Sequence, residues 1–224
     1  MVKKTSCDRC GACCLQGGAA LHTQDLRLIQ EKKLTYEDLV TVRQGELAFQ
    51  PMASKAGPVT QEFLKLQGKP GSWSCKFYDD DFLRCSVYQD RPLACRVLEC
   101  TAPEALLTIT GKNLVTRFDC IDDDDPLLPL IKEHNTSCPC PDLSAVSSKL
   151  EEKGADKKLL LSLETMVNLD VRYRTLANRK FQVSVASELF YFGRPLFQLL
   201  APLGITATQQ EEALVLSYNN RSSR

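Results

Sequence analysis

Cys7-Asp8-Arg9-Cys10-Gly11-Ala12-Cys13-Cys14 puts four thiols within eight residues. No helix or strand turns all four toward one apolar interior, so core packing does not explain them. Cys7/Cys10 and Cys10/Cys13 are each separated by two residues, the spacing at which two thiolates close a tight loop on one metal ion. Gly11 suits that turn, because glycine accepts positive φ and leaves backbone N–H groups free to face sulfur. Cys13 and Cys14 are neighbours whose side chains are expected to diverge. One ion is then not expected to take both, which points to two ions, a cluster, or a spare thiol.

The rest of the composition narrows the metal. Eleven cysteines stand beside two histidines, His22 and His134, in a chain of 224 residues. A site built from this set is mostly thiolate, which favours zinc or an iron–sulfur cluster over copper, nickel or a His-carboxylate iron site. The odd cysteine count argues against a complete disulfide framework. Met1 is followed by polar and then cysteine-rich sequence with no apolar signal stretch, so a reducing, cytoplasmic setting is expected. Charge balances at 28 basic and 28 acidic residues. With no Lys/Arg block, neither nucleic acid nor an anionic membrane is an expected partner. Leu196–Ile205, a long apolar run, is too short to span a bilayer and is broken by Gln198 and Pro202.

Local patterns predict an α+β chain: a small, irregular, metal-stapled module with short helices and a β-hairpin over residues 1–141, then a mostly helical region over 142–224. Thr23 is placed to cap a helix over Gln24–Lys32, and Thr35-Tyr36-Glu37-Asp38 to open a second helix to about Gln44. Glu46–Met52 and Val59–Gln67 alternate as strands. In Ser74–Tyr88, a turn at Asp79-Asp80-Asp81 centres a hairpin on Asp80. Cys75 then falls opposite Cys85 and Phe77 opposite Leu83, with paired Cβ atoms roughly 4.5–5.5 Å apart, close enough for two sulfurs to meet at one metal. Asp90 and Pro92 start a helix whose N-terminus, with Arg91 or Arg96, favours a thiolate at Cys95. Cys100 is about 140° further round that helix and reads as a buried thiol.

Further along, Pro103 to Gly111 reads as a helix and Leu114–Ile121 as a strand carrying Cys120 inward as a core thiol. Asp122–Asp125 reads as a solvated turn before a Leu127–Glu133 helix rather than as a hard-cation site. Cys138-Pro139-Cys140-Pro141 has more the character of a boundary than of a ligand pair. Asp156–Asn178, Arg194–Leu203 and Thr208–Tyr218 have helical spacing. Phe190-Tyr191-Phe192 with Phe197 reads as core or a helix–helix contact.

The block Cys7–Cys14, followed by Cys75 and then Cys85-x2-Tyr88-x2-Arg91-Pro92-x2-Cys95-Arg96, resembles the CxxCxxCC cysteine-cluster family, which includes YkgJ-like proteins. The resemblance covers roughly residues 6–100, with Asp25 and Leu26 resembling the helix start between the two blocks. It implies a domain that chelates zinc or iron. One relative in that family is a flagellin lysine methylase, so the resemblance also implies a protein-modifying enzyme as an alternative. The chain carries neither a Gly-rich strand–turn–helix loop for S-adenosylmethionine nor a C-x3-C-x2-C radical motif.

Spacing and resemblance agree on Cys7, Cys10, Cys13, Cys14, Cys75, Cys85 and Cys95 as metal ligands. Seven thiolates exceed one tetrahedral ion and fit an iron–sulfur cluster with spares, or two zinc sites with an eighth ligand. Arg91 and Arg96 are the candidate cofactor-binding cations beside an anionic centre. The expected roles are redox, sensing or metal handling. A zinc-stapled interaction domain, with a protein partner met through the C-terminal region, is the third alternative.

Overall fold

The computed structural model describes residues 7, 10–50, 55–99, 102–154 and 156–219. It is a mixed α+β chain: short helices and small hairpins come first, then a mostly helical region and a final hairpin. The residues fall into two compact units that interleave along the chain. One comprises Met1–Val42 and Phe63–Ile121, the other Arg43–Glu62 and Asp122–Arg224. Among the described residues, no helix is long and apolar enough to cross a membrane.

In the first unit the helix after Thr23 is shorter than expected: a 3₁₀ turn at Thr23–Asp25 runs into α1 (Leu26–Gln30). The N-cap is His22 rather than Thr23, and the carboxylate of Asp25, third in the turn, accepts the His22 N–H at 3.0 Å. Thr35 and Asp38 do form a capping motif, Asp38 accepting from both the N–H and the hydroxyl of Thr35 at 2.8 and 2.9 Å. The helix expected to continue to Gln44 is not there. After one 3₁₀ turn the chain becomes β1 (Leu39–Val42), buried at every position. The β-branched run Val40-Thr41-Val42 fits a pleated, two-sided burial better than a helix. β1 pairs antiparallel with β4 (Phe63–Leu66), Leu39 opposite Leu66. Backbone hydrogen bonds then stitch three distant segments together: Leu21 N–H to Leu64 O, Leu64 N–H to Val115 O, and Val115 N–H to Leu21 O. Leu114 makes a single bridge to His22 where a strand through Ile121 was expected, and Thr116 and Asp119 cap a 3₁₀ turn instead. Leu21, Leu28, Leu34, Leu39, Leu64, Leu66 and Val115 are the core of this unit.

The hairpin expected in Ser74–Tyr88 exists, in another register. β5 (Tyr78–Asp79) pairs with β6 (Arg84–Cys85), so Cys85 faces Tyr78 rather than Cys75. Asp79 accounts for the shift: its carboxylate accepts the N–H groups of Asp81 and Phe82, making a side-chain turn that lengthens the loop to Asp80–Leu83. Leu83 closes that loop at φ 47°. Two short helices follow, α2 (Leu93–Val97) and α3 (Glu104–Ile109).

The second unit begins with an antiparallel pair, β2 (Leu47–Gln50) and β3 (Lys55–Pro58). Its helices are α4 (Leu128–Ser137), α5 (Leu143–Lys153), α6 (Lys157–Phe181), α7 (Val185–Phe192) and α8 (Leu196–Leu200). Asp142, Asp156 and Ser184 cap α5, α6 and α7 through side-chain acceptors. Leu163 and Val167 of α6 pack with Leu143, Val146 and Leu150 of α5 and Leu196, Leu199 and Leu200 of α8. Phe190 and Phe192 are fully buried, in keeping with the core reading of the aromatic run.

Thr208–Tyr218 is not a helix. It belongs to a hairpin of β7 (Ile205–Gln210) and β8 (Ala213–Tyr218), turning at Glu211–Glu212. Ile205, Ala207, Leu214, Leu216 and Tyr218 all meet the core, an alternation of period two that outweighs the apparent helical spacing.

Candidate metal centre

The cysteine loop is held from two sides. Leu15 N–H donates to Gly11 O at 2.9 Å, folding the loop onto itself, and Cys75 N–H donates to Cys14 O at 2.7 Å. Gly11 stands at φ 78°, and the Tyr78 ring lies where its Cβ would be. A side chain here would be strained twice over, by backbone conformation and by collision with that ring. Tyr78, absent from the expected site, is thus the packing partner that seats the first cysteine loop on the hairpin.

Cys13 and Cys14 do not diverge. Cys13 is in the right-handed helical region, φ −74° and ψ −34°, at the start of a 3₁₀ turn. Their sulfurs are 4.0 Å apart. Two thiolates on one tetrahedral ion with Zn–S bonds of about 2.3 Å would be about 3.8 Å apart, so the adjacent pair can share one ion after all.

The second and third segments bring Cys75 and Cys85, each with a donor from nearby backbone. The Cys75 sulfur takes a hydrogen bond from the Phe77 N–H, and Cys85 takes one from the Val87 N–H. Two sulfurs each receiving an N–H from two residues on form paired turns suited to thiolate.

The fourth segment is α2, which carries Cys95. Its N-terminus is capped from 68 residues away: Leu93 N–H donates to Asp25 Oδ1 at 2.8 Å. Asp25 is fully buried and also lies 3.8 Å from Arg96 Nη2. One carboxylate therefore fixes two turns, α1 on one oxygen and α2 on the other. Asp90, expected to be the cap, ends a separate 3₁₀ turn. His22 is likewise engaged in the frame, its Nδ1–H donating to Lys112 O at 2.9 Å.

Electrostatics tie the four segments into one cluster. Burial pushes the Cys14 thiol up to about 12, and the charges of Cys13, Cys75 and Cys85 add to it. Burial also raises Cys95, with Cys75, Cys13, Cys14 and Cys85 acting in the same direction. This outweighs any help from the α2 N-terminus, against the expected easy thiolate there. Cys75 and Cys85 are raised too, first by burial. Cys7 reaches Cys85, and exposed Cys10 reaches Tyr78. The ten described cysteines are free thiols. Among the described residues, no group of three or more His, Cys, Asp or Glu side chains is placed so that it could hold a metal ion.

The donor set fits a soft cation. Five thiols lie near enough for each negative charge to raise its neighbours, so they ionise together only if positive charge arrives with them. Arg91 lies near, its guanidinium stacked 3.6 Å from the Tyr88 ring centroid and its charge favouring the Cys85 thiolate.

The other cysteines are placed differently. Cys100 lies outside the described residues. Cys120 donates to Thr116 O at 3.6 Å and is raised to about 12 by burial and by Asp119. Cys138 and Cys140 belong to the second unit and are raised to about 11, chiefly by burial.

Residues 6–114 match the family model CxxCxxCC, described as a putative zinc- or iron-chelating domain. This segment is a CxxCxxCC domain. The match takes in all seven expected ligands, Asp25, Tyr78 and α2, and ends before the helical region. Comparison with curated proteins and with solved structures gives no match.

Proposed function

We propose that the CxxCxxCC domain holds an iron–sulfur cluster through Cys13, Cys14, Cys75, Cys85 and Cys95, with Cys7 and Cys10 on the same loop available as further ligands. The observation that carries this reading is the gathering of thiols from four chain segments into one half-buried cluster without a disulfide. More thiols are present than one zinc ion accepts, and Cys7, Cys10 and Cys13 have the two-residue gaps of a ferredoxin-type run. When bound, the cluster would supply one-electron chemistry or a metal-responsive switch. The chain's own part is to hold sulfur, exclude water and offer N–H donors from Phe77 and Val87.

Zinc is the second reading, favoured by the Cys13–Cys14 separation of 4.0 Å. Replacement by serine separates ligands from bystanders, since serine lacks the soft thiolate that both metals prefer. Cys75→Ser, Cys85→Ser and Cys95→Ser each lower the bound metal measured by plasma emission, whereas Cys120→Ser leaves it unchanged. Equal metal loss in the Cys120 variant would overturn the ligand assignment.

A further inference from the structure

Tyr78 reaches three of the segments that carry the thiols. Its N–H donates to Cys75 O at 3.0 Å. In the β5–β6 hairpin it stands directly opposite Cys85, so the two side chains leave the same face of the ribbon. At the far end of the ring, the hydroxyl and the carbon that bears it fill the space where a Cβ on Gly11 would lie, inside the Cys10–Cys14 loop. Tyr78 is only 4% exposed, and its hydroxyl has no hydrogen-bond partner among the described residues. A phenol buried to this extent ordinarily has an acceptor. Three carbonyls of the loop are already engaged: Gly11 O accepts from Leu15 N–H at 2.9 Å, Cys13 O from Gln16 N–H at 3.2 Å and Cys14 O from Cys75 N–H at 2.7 Å. The loop acceptors that gain strength when metal binds are the sulfurs of Cys10, Cys13 and Cys14, weak as thiols and strong as thiolates.

Resting on the metal-binding reading above, we propose that Tyr78 is a positioning residue of the thiol centre. Its ring sets the cysteine loop against Cys85, and its hydroxyl donates to a sulfur of that loop once metal has made it a thiolate. It touches no metal. Ring and hydroxyl act separately. The ring fixes where the loop stands relative to the hairpin, and Gly11, without a Cβ and held at φ 78°, leaves the room that this contact needs. The hydroxyl acts on the sulfur's electrons, since a donor to a metal-bound thiolate draws charge away from the metal bond.

The full-length protein, with Tyr78→Phe and Tyr78→Ala variants, is loaded with zinc and titrated against a chromogenic chelator, and with cobalt for its absorption spectrum. Urea melts of the metal-free forms run in parallel. Tyr78→Phe keeps the ring, so it is expected to leave the metal-free melt unchanged and to weaken zinc retention about tenfold. The sulfur-to-cobalt charge-transfer band is expected to move to lower energy in Tyr78→Phe, because a sulfur that loses a donor gives up its electrons more readily. Tyr78→Ala loses the ring as well and is expected to weaken retention further. Where the chain loads an iron–sulfur cluster rather than zinc, the reduction potential takes the place of the band and is expected to fall in Tyr78→Phe. A band or potential equal to wild type in Tyr78→Phe would overturn the proposal, whatever the retention. So would a weakening fully matched by lost stability of the metal-free form, which marks a packing role. A wild-type chain that holds none of zinc, cobalt or iron would instead overturn the metal-binding reading itself, together with this one.

Discussion

Asp25 is the residue on which the cysteine domain turns, although it is not a ligand. It is fully buried, and its two oxygens accept the N–H groups of His22 and Leu93. Replacing it with alanine strands both donors and leaves Arg96 unmatched. Loss of two charge-assisted hydrogen bonds in a buried place is expected to cost about 2–4 kcal/mol, read as a lower urea midpoint. Because α2 carries Cys95, metal retention should fall with it. Unchanged stability would show that water replaces the carboxylate. The role of this residue was only half legible. An acidic residue in a first helical turn is visible in the sequence, but a cap given to a helix 68 residues later is not. Tyr78 escaped for the same reason, since nothing local marks its contact with Gly11. Cys7, Cys10 and Cys13 stood out as candidate ligands because two-residue spacing is a local signal.

Among the elements, errors fell where local preference competes with tertiary context. Thr35–Asp38 signals a turn start equally for a helix or a strand, and β1 was decided by the β-branched residues that follow. The hairpin slipped three residues because Asp79 makes its own turn. In β7–β8 the apolar alternation is real, but Glu211–Glu212 is a weak turn signal, with Glu211 held at φ 52°.

The helices of the second unit were more readable, yet their tie is not a sequence pattern. His134 of α4 donates through Nε2–H to Asp170 of α6 at 2.7 Å, and Arg174 holds the same carboxylate from Nε and Nη2, both at 3.1 Å. Leu196 N–H of α8 adds a fourth donor at 3.0 Å. Burial opposes ionisation of Asp170, but His134 and Arg174 outweigh it and keep its carboxyl below the usual range. Burial lowers His134 from 6.5 to about 4, with Arg43 and Arg174 adding and Asp170 opposing. The folded chain therefore binds fewer protons at His134 than the unfolded chain between those values. Its contribution to stability is full above pH 6.5 and falls as pH drops toward 4, by about 3 kcal/mol in all. Asp170 adds a further loss below its unfolded value of 3.8. Urea midpoints across pH 4–7 should show this slope, and His134→Gln should flatten it. An unchanged slope in that variant would place the acid sensitivity elsewhere.

At the scale of the molecule, the match to residues 6–114 lies almost wholly with the first compact unit, apart from Arg43–Glu62, which belong with the second. The first unit has short elements and little regular core of its own, four small strands and three short helices among its described residues. Thiolate–metal bonds are thus expected to supply part of the stability that a larger core would give. The second unit has its own leucine-rich core and no cysteine among the seven expected ligands. The most direct measurement is the metal and acid-labile sulfide content of the full chain after anaerobic purification. The account predicts iron accompanied by acid-labile sulfide in equal amount, and zinc alone would move the centre to the second reading. A folded, fully reduced chain holding neither iron nor zinc would contradict it.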